Sequence, residues 1–128
     1  MTERNLIYPE DFPVGVPPES ATPANGNAYR LVRNDPPNAQ DFCGYYREPY
    51  LKRIPQNPKP NFFGTSMFRD LAQTKVAREE HKPQRDKKIA AGTLSPEFGV
   101  VSRENQVTHF DAWLKENTGI ENVFSVEE

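Results

Sequence analysis

The sequence predicts an α+β domain: a small, mostly antiparallel sheet with two or three helices and a proline-rich extended N-terminal arm. Three observations carry that expectation. Residues 26–32, Gly-Asn-Ala-Tyr-Arg-Leu-Val, read as an interior strand entered through an Asn25-Gly26 turn. Ala39, Phe42, Cys43 and Tyr46 recur at helical spacing behind Asp35-Pro36, a cap-and-proline helix start. Five of the thirteen prolines, at 9, 13, 17, 18 and 23, fall within the first 25 residues, where they disfavour regular structure.

A chain of 128 residues is expected to form one domain with one modest core, residues 26–128, behind a lead-in of residues 1–25. Mean hydropathy is low at -0.83, yet eight Phe, five Tyr and one Trp can fill a core with few side chains. The lead-in carries Leu6, Ile7, Tyr8, Phe12, Val14 and Val16. Such an apolar stretch is either packed on the domain or held out as a partner-docking arm.

Further along, prolines 49, 55, 58 and 60 stiffen an irregular loop over 47–61 that also holds Arg47, Lys52, Arg53 and Lys59. Asp70, with Gln73 three residues on, caps a helix whose Phe68, Ala72 and Val76 side is expected to face the core, and Pro83 ends it. Residues 89–94 read as a strand, with Val100 and Val101 beginning its hairpin partner after the Ser95–Gly99 turn. Thr108–Asp111 resembles a capping box opening a short helix, with strand as the alternative over 107–114. Residues 120–126 read as a final edge strand.

Charge and motif content restrict the chemistry. A net charge of -2 and a pI near 5.7 give no global basic field of the kind nucleic-acid binding uses. Only residues 45–59, where tyrosines interleave with cations, keep that possibility open. The single Cys43 excludes an intrachain disulfide and a cysteine-cluster metal site, and its helical stripe makes it a small buried hydrophobe. There is no apolar run long enough to span a membrane and no signal-peptide pattern at the start, so a reducing cytoplasm is the expected compartment. No P-loop, GxGxxG, GxSxG or HExxH motif is present, which leaves any catalytic residue unassigned and no metal expected.

Three residues are candidates for ligand binding. Arg30 stands on an otherwise apolar strand and so needs an acidic partner, a set of carbonyls or an anionic ligand. Ser66 follows a glycine in a dense apolar run, and His109 sits beside Phe110 and four residues before Trp113. Each also has an ordinary reading: a structural ion pair, a backbone-satisfying hydroxyl, and a packing histidine. Tyr46, Tyr50 and Arg53 are the candidates for a partner surface.

Tyr8-Pro-x-Asp-Phe-Pro-x-Gly15, Tyr29-Arg-Leu-Val32, Gly64-x-Ser66-x-Phe-Arg69 and His109-x-x-x-Trp113 resemble a family of short uncharacterised bacterial proteins, for which no activity is implied. A looser likeness, in the order strand-with-arginine then Gly-x-Ser, is to ADP-ribosyltransferase-like folds of the RES type. That likeness implies NAD held by Arg30 and Ser66, but neither Glu97 nor Glu104 matches the usual catalytic glutamate. The leading functional expectation is a small accessory protein acting through a protein partner, with no cofactor, membrane or nucleic acid. The alternative is an NAD- or nucleotide-binding enzyme or remnant, which requires Arg30, Ser66 and His109 to share one cleft.

Overall fold

A computed structural model describes residues 7–128. Residues 1–6, among them Leu6 of the expected lead-in, lie outside the described residues. The described residues form seven strands and one α-helix: β1 (Thr22–Pro23), β2 (Gly26–Val32), β3 (Thr65–Phe68), α1 (Leu71–Glu80), β4 (Lys88–Leu94), β5 (Gly99–Val101), β6 (His109–Leu114) and β7 (Phe124–Val126). All seven belong to one curled antiparallel sheet, a half-barrel in the order β1-β5-β6-β3-β2-β4-β7.

Alternation along the strands divides the sheet into two faces. Ala28 and Val32 of β2, Met67 of β3, Ala90 and Leu94 of β4, and Phe110, Ala112 and Leu114 of β6 form the core with Phe42, Phe98, Ile120 and Phe124. The outer face carries Tyr29, Leu31, Ser66, Phe68, His109 and Asp111, as the register Tyr29↔Phe68, Phe68↔His109 and Ser66↔Asp111 requires. Helix α1 covers part of that face. Asp70 caps it, its carboxylate accepting the Gln73 N–H at 2.9 Å, as the sequence predicts.

The expected two- or three-helix α+β fold is therefore corrected: the molecule is a curled sheet with a single helix. Two predicted helices are not formed, each for a specific reason. Between Asp35 and Tyr46 the chain makes only short 3-10 turns, Ala39–Phe42 and Tyr45–Arg47. The backbone groups an α-helix would pair are diverted elsewhere: the Asp41 carbonyl accepts from Arg30 Nε, and the Tyr45 N–H donates to the Gly64 carbonyl. Over 109–114 the alternative reading holds, because the true period is two. Phe110, Ala112 and Leu114 face the core, while Trp113 faces outward, where its Nε1–H donates to the Pro60 carbonyl at 2.9 Å.

Two smaller expectations also change. Val100 and Val101 pair with β1 and β6, and β4 instead lies between β2 and β7. Gly99 makes that turn possible: its φ is 142°, and a side chain there would run into the Trp113 carbonyl. On α1 the buried residue is Thr74, and Ala72 and Val76 face solvent. In the lead-in, Phe12 packs at an angle against the Tyr46 and Phe63 rings, whereas Ile7 and Val14 are exposed.

Phe110 is among the largest side chains with almost no exposure, at the centre of the core between β3 and β5. Phe110→Ala is expected to cost about 3–5 kcal/mol in a urea unfolding titration, with the cost set by how little the curled sheet can collapse.

Candidate functional site

The site is built on a buried charge network. Arg30 belongs by register with the core-facing Ala28 and Val32, but its guanidinium lies where β2 and β3 part company. These two strands pair only at Tyr29↔Phe68. Where a continued ladder would oppose Leu31 to Ser66, the Ser66 carbonyl instead accepts from Arg30 Nη1 at 2.9 Å. Arg30 Nε donates to the Asp41 carbonyl at 2.9 Å, and Nη2 to Glu48 Oε1 at 3.0 Å. One side chain thus ties β2 to β3 and to both segments of the 39–48 connection.

Glu48 is the network's only carboxylate in direct contact with the cations. Arg33 donates to its Oε2 at 2.8 Å, and the Lys87 ammonium stands 3.6 Å from the same oxygen. Burial pushes the Glu48 carboxyl up, but Arg30, Arg33 and Lys87 outweigh it and hold the group below its ordinary value. Asp41 binds backbone and amide donors instead: the Arg33 and Asn38 N–H groups and Asn34 Nδ2. Lys87 is only 6% exposed, and its ammonium has no hydrogen-bond partner among the described residues. Burial draws it down to about 8, against the pull of Glu48.

In front of this network, on the outer face, lies a cleft of ≈ 330 Å³. Arg30, Ser66 and His109 all line it, with Tyr45 and Tyr50 from the 45–50 segment and Phe68 on the sheet. Tyr50 is fixed by a hydrogen bond from Gln84 Nε2 to its hydroxyl at 3.1 Å, and its ring faces Lys87 at 5.7 Å. Burial and the nearby Glu48 push its phenol up to about 12. A second hollow of ≈ 360 Å³ shares Tyr45, Ser66 and His109 and continues to Phe62, Lys59 and Asp111. Tyr45 and Phe62 meet edge to face at 5.6 Å, so the two hollows share an aromatic wall.

The three sequence-predicted ligand residues therefore come together, although they differ in availability. Three of Arg30's five N–H donors are bound within the protein, so it forms the floor of the cleft and supplies charge more than free donors. His109 packs its ring at 5.2 Å against Phe68, and burial, with the Arg30 charge behind it, keeps the imidazole below its ordinary value. The Ser66 hydroxyl and the His109 ring have no hydrogen bond from the described residues. The predicted partner residues do not form one patch. The Tyr46 hydroxyl donates to Asp11 at 2.7 Å and its ring lines a separate groove, Tyr50 walls the cleft, and Arg53 is exposed.

The sequence points to Tyr45 only as one of the tyrosines interleaved with cations over 45–59, and gives no direct sign of Asp111 as a site residue. Asp111 was hidden by treating 108–111 as a helix cap; the alternating apolar set Phe110, Ala112 and Leu114 was the available signal for placing it beside His109. Cys43, expected to be a buried hydrophobe, is half-buried, and burial raises its thiol. It lines the separate ≈ 740 Å³ groove beside the lead-in. Among the described residues no cluster of His, Cys, Asp or Glu could hold a metal ion, and no helix is long and apolar enough to cross a membrane.

No protein-family model, curated protein or solved structure matches the chain.

The Lys87 shift fixes a pH dependence. Its value falls from 10.5 in the unfolded chain to about 8 in the fold, so between those values the unfolded chain binds more protons. Folding stability due to Lys87 is therefore lowest below about pH 8 and rises as the pH climbs from there towards 10. Urea titrations at pH 8 and 9.5 are expected to show wild type gaining stability relative to Lys87→Met; parallel changes in the two proteins would contradict the assignment.

Proposed function

We propose that the chain is a ligand-binding domain for a nucleotide-type molecule of the NAD or ADP-ribose class. One observation carries the reading: Arg30, Ser66 and His109, from three different strands, line the same aromatic-walled cleft. Few convergent polar groups in a concave, aromatic-lined site are what small-ligand recognition uses. Stacking on a tyrosine or phenylalanine is worth about 1–3 kcal/mol per base. Arg30's field, which also depresses His109, favours an anionic group on the cleft floor.

The reading is of binding and not of turnover. Glu97 is bound by the Ser95 hydroxyl and Glu104 lies 3.8 Å from Arg69, and neither lines the cleft. A second reading, an accessory protein acting through a protein partner, is favoured by the exposed Arg53 and Ile54 on the proline-stiffened loop. Of the predicted partner residues, only Arg53 belongs to that outward surface.

Thermal-shift titration with NAD, ADP-ribose and adenosine monophosphate separates these readings. At a ligand concentration a hundredfold above Kd, the ligand reading expects a stabilisation of about 2.7 kcal/mol. Tyr45→Ala, at a position 38% exposed, is expected to weaken binding roughly tenfold by loss of stacking. Melting curves unmoved by all three compounds at millimolar concentration would refute the nucleotide reading.

A further inference from the structure

Asp111 is held in place by more structure than its own stability calls for. Its backbone is locked to Ser102 in both directions: its N–H donates to Ser102 Oγ at 2.9 Å, and its carbonyl accepts the Ser102 N–H at 2.9 Å. On the neighbouring strand entry, Gly64 leaves room for it, since a Cβ at that position would lie 2.8 Å from the Asp111 Cβ. The carboxyl so positioned has no hydrogen bond and no ion pair among the described residues, and burial raises it to about 6. A partly buried carboxyl without a partner destabilises a fold, and an asparagine or threonine would sit there more comfortably.

The groups around it define what it can receive. Ser66 lies directly across the β3–β6 ladder, His109 two residues back on the same face, and Tyr45, Asn61, Phe62 and Lys59 complete the hollow. An ionised carboxylate only accepts hydrogen bonds, so its complement is a ligand edge bearing N–H donors. The Tyr45–Phe62 wall calls for that edge to belong to a flat ring. Amino-bearing purines have both features.

We propose that Asp111 is the specificity-determining residue of the outer hollow, accepting hydrogen bonds from the amino or ring N–H donors of a purine stacked beside Tyr45. This rests on the nucleotide reading and adds to it a choice of base: purines carrying N–H donors on their pairing edge are taken, and purines lacking them are not. Arg30 and the cleft floor are indifferent to that choice.

The test is calorimetric titration of the full chain with guanosine monophosphate, adenosine monophosphate and purine riboside monophosphate, the last having no amino or ring N–H donor. At about pH 7.5 wild type is expected to bind the better of the two donor-bearing nucleotides roughly tenfold or more tightly than purine riboside monophosphate, the size of a hydrogen bond to a charged group. D111A, which removes both acceptor oxygens, is expected to bind all three within about twofold of one another. A readout that needs no variant comes from repeating the wild-type titrations near pH 5. There Asp111 is protonated and the affinity ratio is expected to collapse, while changes at His109, Lys59 or the phosphates act on all three nucleotides alike. Binding without discrimination in wild type, or discrimination kept by D111A or at pH 5, would overturn the role of Asp111 and leave the nucleotide reading intact. Failure of wild type to bind any of the three would overturn both.

Discussion

The structure depends on one buried carboxylate surrounded by cations. Glu48 receives Arg30 and Arg33 and faces Lys87, and through Arg30 it fixes the point where β2 and β3 separate. Burying charge is expensive unless it is paired, and replacing such a network by apolar side chains is often neutral or stabilising. Its role here is geometric. The Arg30 guanidinium takes the Ser66 carbonyl that an unbroken ladder would have paired, so the sheet can part without leaving that acceptor unsatisfied. The 39–48 connection is pinned at its two ends, at the Asp41 carbonyl and the Glu48 carboxylate.

The cleft follows from that separation. Once the 39–48 connection is anchored, Tyr45 and Tyr50 stand over the outer face, opposite Ser66, Phe68 and His109. The same charges that hold the scaffold set the electrostatics of the hollow, for Arg30 lowers His109 and Glu48 raises Tyr50. Scaffold and cleft thus share residues. Lys87 and Asp111 are places where local stability is sacrificed, one as an ammonium without a hydrogen bond and one as a carboxyl without a partner among the described residues.

Much of the sheet was legible because the local signals were strong. The β2 strand, its two faces, and the Asp70 cap of α1 all follow from residue pattern alone. The missing helices were illegible for a specific reason. Ala39, Phe42, Cys43 and Tyr46 do repeat at helical spacing, but Arg30, eleven residues before Asp41, captures a carbonyl such a helix would need. A long-range hydrogen bond of this kind leaves no trace in a local window. That Arg30, Ser66 and His109 share a cleft meets the condition the alternative, nucleotide reading required of the sequence, whereas Asp111 depended on reading 109–114 with the right period. Arg30 itself turned out to serve the ordinary role and the site at once, a structural ion pair that also floors the cleft.

Arg30 and Glu48 act as one unit in holding the parted strands. A double-mutant cycle with Arg30→Met, Glu48→Met and the double variant, followed by urea unfolding, measures this directly. A coupling energy of about 2 kcal/mol or more is expected, because Glu48→Met strands the buried Arg30 guanidinium that the double variant removes, whereas Arg30→Met leaves Glu48 with Arg33 and Lys87. Changes that add to within about 0.5 kcal/mol would show the two residues to be independent and would contradict the account.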